Sequence, residues 1–507
     1  MKPRHMCGTA SQRAGRLSVF LGIVSTPQLA VMSAPRSPYR QSYRSSTDGR
    51  SRRRESNHPI IPPEKARTSN YSSRGEELPS HNGHLHRKPP PGSKVRVKPS
   101  GESGRRGFHP FKFLKISWKS SSRASLLCNF LWPFVPAAFA VRYTRPNDHV
   151  LIFILTYIAM IPCANMVGFA GQELSRKVSH VFGVLIETTF GSIVEIILFM
   201  VLLAGDQFTV IKAAILGSIL ATMLLCLGLC FIAGGMRRDE AEFSEVVSEA
   251  GSGLLLTAGV TLAIPTLFAN SLENQLTGEE LGSKTRHISR IVSCLLIIAY
   301  AVYVYFQART HHGIYDAIFE HDEQRDHDKR KDLNKPKLTL TECLVALVIA
   351  ITLVTFMAIY LVEQIAPIVE RHNISDPFMG LILVPLVEKA AEHLTAVDEA
   401  WDNQMNFALS HVLGATLQTA LFNAPLVVIV AWGLHKHMDL VFEVFDIGML
   451  ILAILTVGNF LRDQKSNYLE GFLSVTIYVA IAVAAFYYPN PPGHGGTAEG
   501  GSAEGGH

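Results

Sequence analysis

Two glutamates stand out because of where they fall. Glu195 sits in "ETTFGSIVEIILF" (187–199) and Glu392 in "VPLVEKAAEHLTAV" (384–397), each within a long apolar run. An ionisable carboxylate in such a run costs about 2.5–3.5 kcal/mol on membrane-insertion scales, so its presence points to an ion or proton pathway. Glu195 and Glu392 are 197 residues apart, and the same offset aligns Gly217 with Gly414. Each Glu is followed 22 residues later by a Gly that opens a run of small and apolar residues, "GSILATMLLCLGL" and "GATLQTALFNAPL". Two pairs of features at one offset describe an internal repeat.

Two carboxylates facing each other across a cavity suit a hard divalent cation, which takes six to eight oxygen ligands. Carbonyls near Gly191 and hydroxyls of Thr188, Thr189, Ser192, Ser218 and Thr416 are candidates for the remaining ligands. The same acids can carry protons, since burial favours the protonated carboxyl and a bound cation favours the ionised one. Cation and proton then compete for one site, and alternating exposure of it gives exchange without ATP. No GxxxxGK[ST] loop and no HExxH motif occurs, and His393 follows Glu392 directly. His393 and His411 are not read as a zinc pair. No nucleophile–base constellation is visible, so the chain is read as a non-enzyme without cofactor.

The elements that must hold these acids are apolar helices. The chain has 507 residues, 48% hydrophobic and 18% charged, with a mean hydropathy of +0.20; soluble domains carry about 25% charged residues. Charge is split along the chain. Residues 1–125 hold 25 Lys and Arg against 6 Asp and Glu, and the rest holds 22 against 36. The basic arm, 1–123, is rich in Ser, Arg, Pro and Gly and is expected to be disordered, with contact to anionic lipid or an autoinhibitory role as alternatives. Residues 17–33 are too short in apolar core to favour a cleaved signal. The seven Cys form no CxxC pair and are read as apolar packing.

From residue 124 onward, runs near the 20 residues that a bilayer core requires recur eleven times. They lie at 124–141, 149–170, 181–204, 209–234, 250–269, 288–306, 338–362, 377–397, 404–432, 444–462 and 467–488. The expected fold is an all-α integral membrane protein of about eleven transmembrane helices: one N-terminal helix plus two inverted five-helix repeats. The first helix and repeat occupy 124–306, a charged linker 307–337, the second repeat 338–488 and a Gly-rich tail 489–507. An odd number of crossings per copy inverts the second copy relative to the first, the arrangement of secondary transporters with a midplane site. Lys and Arg in "GQELSRKVSH", "GGMRRDEAEF", the linker and "RDQKSN" place these loops with the arm on the cytosolic side and the tail in the lumen. Asn373-Ile374-Ser375, on the opposite side, is a candidate glycan acceptor.

Over about 125–490 the sequence resembles the calcium/proton exchangers of the vacuolar cation-exchanger type, within the calcium/cation antiporter superfamily. That family carries a Gly-Asn-x-x-Glu motif in each repeat, followed by a Gly-Ser-rich helix. The corresponding residues here are Gly191-Ser192-Ile193-Val194-Glu195 with Gly217-Ser218, and Glu388-Lys389-Ala390-Ala391-Glu392-His393 with Gly414 to Phe422. The resemblance implies cation binding by Glu195 and Glu392, with Ser218 and Gln418 in support. It also implies a vacuolar or similar acidic-organelle membrane, with calcium moving in against protons. Calcium and protons are then the substrates and lipid the surroundings, with no nucleic-acid partner. Three departures stand out. Ser192 replaces Asn, Glu388-Lys389 replace Gly-Asn, and Glu187 stands where a neutral residue is expected. Lys389 either neutralises a site carboxylate and favours a monovalent cation or manganese, or pairs with Glu187 or Glu388 and leaves the site intact, or locks the core into a non-transporting sensor or scaffold.

Overall fold

The computed structural model describes residue 105 and residues 107–119, 123–177, 186, 189–325, 335–372 and 374–489. Residues 17–33, most of the basic arm, Glu187, Thr188, the candidate acceptor Asn373 and the Gly-rich tail from residue 490 lie outside these residues.

The described chain is almost wholly helical, as apolar runs without competing turn signals require. Short helices α1 (Pro110–Lys119), α2 (Arg123–Asn129) and α3 (Phe134–Thr144) lead into α4 (His149–Ser175), α5 (Ile193–Ala204) and α6 (Phe208–Gly235). After these come α7 (Glu245–Leu272), α8 (Gly278–Thr310) and the linker helix α9 (His312–Arg325). The second half comprises α10 (Leu340–His372), α11 (Val384–Trp401), α12 (Met405–Gly433), α13 (Val444–Phe460) and α14 (Tyr468–Phe486). Each of the eleven sequence-derived spans finds a helix. Among the described residues, eight stretches have the length and apolarity to cross a bilayer, and α5 and α13 are shorter apolar helices. The first span is broken between α2 and α3 around Pro133, because proline lacks the N–H that would continue the ladder. The linker is less solvated than its charge suggests: α8 runs on to Thr310, and Tyr315 and Asp322 of α9 are buried.

The outer surface is apolar where a soluble protein would be polar. Ile291, Leu295, Ile298, Val302 and Tyr305 of α8 form an exposed stripe at helical spacing. Leu256, Val260, Ile264 and Leu267 do the same on α7, and Phe472, Val479, Val483 and Phe486 on α14. Stripes of this extent fit a hydrocarbon surround.

Packing repeats with the two halves exchanged. Helix α4 lies along its counterpart α10, and α7 along α13. The contact of α8 with the second half of α12 recurs as that of α14 with the second half of α6. The contact of α10 with α5 recurs as α4 with α11, and that of α7 with α12 as α13 with α6. An internal two-fold relation therefore exists in space as well as at the 197-residue offset.

The loops sort into two faces. On one, the β-strand Ala241–Glu242 pairs antiparallel with Lys465–Ser466. Arg237 stacks over Trp401, Asp322 accepts from the backbone N–H of Asn406 at 2.8 Å, and Arg105 donates to Lys337 O at 2.6 Å. On the other face, Lys436 pairs with Asp206 at 2.7 Å and Arg142 with Glu363 at 2.6 Å.

Candidate cation site

The site forms where two interrupted helices meet. Residues 189–191 are helical, Ser192 breaks the run, and α5 restarts at Ile193 with Glu195 in its first turn. A helix N-terminus carries a partial positive charge that favours an anion, and this break is how a nonpolar span accommodates a carboxylate. Helices α6 and α12 each contain a π-helical turn, Ala221–Cys226 and Thr419–Asn423, and a third, Met379–Leu383, precedes α11. Such turns shift the face presented by side chains and occur often at functional sites.

Gly217 sets the crossing of α6 against the turn before α11. A Cβ there would stand 2.1 Å from the backbone oxygen of Leu381, and one on Gly380 would stand 2.6 Å from Ala213 Cβ. Only hydrogen at both positions lets the backbones approach this closely. Tyr157 donates to Leu383 O at 2.8 Å and fixes the same turn from α4.

The sequence-derived acids converge, and the link between them is Lys389. Its Nζ lies 2.9 Å from Glu195 Oε2 and 3.1 Å from Glu392 Oε2. The two carboxylate oxygens are thus no more than about 6 Å apart. Glu195 and Lys389 are 1% and 2% exposed. Of the alternatives open from sequence, Lys389 takes the pairing with site carboxylates. Its ammonium occupies the midpoint between the two halves, where a bound cation is expected. Among the described residues no three His, Cys, Asp or Glu side chains gather as a metal cluster.

Glu195 is further held from α12. Thr419 Oγ1 donates to both of its oxygens at 2.9 Å and Asn423 Nδ2 donates to Oε2 at 2.8 Å. Sequence reasoning missed both partners, although Thr419 lies 197 residues after Thr222, at the repeat offset. Gln418 Nε2 donates to Ser192 Oγ at 2.7 Å, joining the halves directly. Ser218 faces Glu388. Thr416 is turned away, donating to Val412 O in its own helix at 2.7 Å. The Nε2 of His393 is 3.3 Å from Thr222 Oγ1, whereas His411 lies between Glu392 (3.7 Å) and Glu399 (3.5 Å). The two histidines therefore have separate surroundings.

A cavity of about 360 Å³ opens beside this cluster. Gly191, Glu388, Glu392, His411 and Gln418 line it beside the cluster, and His312, Asp316 and Phe319 of the linker helix α9 line it as well. It thus reaches the face that carries the linker.

These features define a helical membrane protein with a two-fold internal repeat and a charged cluster where the repeats meet. Residues 149–309 and 343–487 match the sodium/calcium exchanger protein family, and the chain belongs to that family. The vacuolar cation/proton exchanger 2 of Arabidopsis thaliana is 30% identical over 389 residues, covering 76% of this chain and 87% of the relative. The vacuolar calcium ion transporter of Schizosaccharomyces pombe is 31% identical over 362 residues, covering 71% and 85%. The solved structure of YfkE, a Ca2+/H+ antiporter, aligns with a TM-score of 0.60 at 25% identity, covering 72% of this chain and 100% of that one.

Proposed function

We propose that this protein is a secondary active antiporter that exchanges calcium for protons across the vacuolar membrane. The observation that carries this reading is the meeting of Glu195 and Glu392, from opposite halves, on one buried positive charge. Secondary transporters built from inverted repeats bind their ions where the two repeats meet. The names of the vacuolar relatives and of YfkE support the choice of ions. The N-terminal arm faces the cytosol and the tail the lumen, in line with the Lys and Arg content of the arm, the linker and the loops that pack with them. The cavity then opens to the cytosol, with the half-buried Glu392 on its wall. Calcium enters from that side, and protons leave the acidic lumen by the same carboxylates.

The test is radiocalcium uptake into acid-loaded proteoliposomes. Wild type is expected to accumulate calcium while the gradient lasts, and Glu392→Gln is expected not to. A wild type that moves no calcium under a proton gradient would overturn the reading. A second reading, exchange of a monovalent cation, is favoured by one observation: the Lys389 ammonium offsets part of the charge that would attract a divalent ion. Competition by sodium, potassium and manganese in the same assay separates the two.

A further inference from the structure

The cavity does not reach both symmetry-related acids. Glu388 and Glu392 form part of its wall, and neither Glu195 nor Lys389 does. Glu195 is instead committed to the protein, with Thr419, Asn423 and Lys389 all directed at its two oxygens.

Glu388 is the opposite case. It is 4% exposed, and among the described residues neither of its buried carboxylate oxygens receives a hydrogen bond. The Ser218 hydroxyl faces it from α6. A buried carboxylate without a partner is destabilising unless a cation joins it. Glu388 and Glu392 are four residues apart in α11, so both lie on one helix face, and that face borders the cavity. The charge balance points the same way. One lysine among three carboxylates leaves the cluster two negative charges in excess, and of the three acids only Glu388 and Glu392 lie on the cavity wall.

We infer that Glu388 and Glu392, rather than Glu195 and Glu392, hold the transported divalent cation, with Lys389 as a tethered counter-charge that keeps Glu195 out of the ligand set. The cation lies on the cavity side of α11, and water in the cavity completes its six to eight oxygens. Glu195 serves as a positioning residue for Lys389. This inference rests on the antiporter reading and specifies its ligands.

The experiment uses the purified full-length protein, with calcium binding followed by titration calorimetry in detergent and radiocalcium uptake in acid-loaded liposomes. Glu388→Gln is expected to weaken calcium binding and uptake by about tenfold or more, as loss of one of two charged ligands implies. It should melt no lower than wild type without calcium, since it removes an unpaired buried charge. The double variant Glu388→Gln/Lys389→Gln removes the counter-charge as well and releases Glu195. Its calcium binding is expected to recover most of the loss. Wild-type binding and uptake in Glu388→Gln would overturn the inference. So would a double variant that binds calcium as weakly as the single one. A wild type that binds calcium but moves none against protons would overturn the antiporter reading, while binding by the variants would still decide the ligand set.

Discussion

Replacing Lys389 by Gln removes the one positive charge between Glu195 and Glu392, and its cost can be worked from the geometry. At 2.9 and 3.1 Å and an effective dielectric constant of about 20, the two attractions come to about 6 and about 5 kcal/mol. The carboxylates left behind, about 6 Å apart, repel by about 3 kcal/mol on the same scale. Burying the ammonium offsets much of the gross attraction, and deletion of one partner of a buried pair typically costs about 3–5 kcal/mol. Lys389→Gln is therefore expected to melt several degrees below wild type in EDTA. Calcium should restore much of this, because a ligand at 100 times its dissociation constant adds about 2.7 kcal/mol and the variant exposes a third acid to it. Thermal unfolding in detergent, in EDTA and in a calcium series, reads both effects. An EDTA melting point equal to that of wild type would refute the reasoning, as would a calcium-induced rise no larger than that of wild type.

Further expectations concern the frame. Gly217→Ala should cost about 3 kcal/mol or more, because a Cβ there meets backbone at 2.1 Å. Gly253→Ala, in α7 with nothing within 4 Å, should be neutral or stabilising by up to about 1 kcal/mol; equal melting points for the two would contradict this. Thr419→Val leaves Glu195 without the donor to both oxygens and should lower stability by about 1–3 kcal/mol. Its calcium affinity should change little, since Glu195 does not face the cavity; calorimetry checks this. Asp322→Ala removes the acceptor for the backbone N–H groups of Asn406 and Phe407 at the start of α12. It should cost about 1–2 kcal/mol, as loss of a helix cap does, and speed limited proteolysis within α9; unchanged cleavage would count against the docking of α9.

Much of the frame was legible because its causes are local or periodic. Apolar runs of bilayer length located the long apolar helices, and the shared offset of Glu195–Glu392 and Gly217–Gly414 located the repeat that the packing also displays. The interior of the site was less legible. Helix spacing brought Lys389 within reach of Glu392, three residues on, but no local rule connects it to Glu195 in the other half. The π-helical turn at Thr419–Asn423 shifts the 3.6-residue phase, so the face carrying Thr419 and Asn423 could not be read from periodicity. Glu388 looked like a partner for Lys389 in sequence. In space Lys389 turns to the other two acids, and Glu388 is left facing the cavity.

The most direct measurement of the central claim is proton-driven calcium uptake by wild type and Glu392→Gln in the same liposome preparation. Wild type is expected to concentrate calcium only while the interior is acid and to stop when a protonophore collapses the gradient. Glu392→Gln is expected to stay at the level of empty liposomes. Full-rate, gradient-dependent uptake by Glu392→Gln would contradict a site built on this acid, and wild-type uptake indifferent to the gradient would contradict exchange itself.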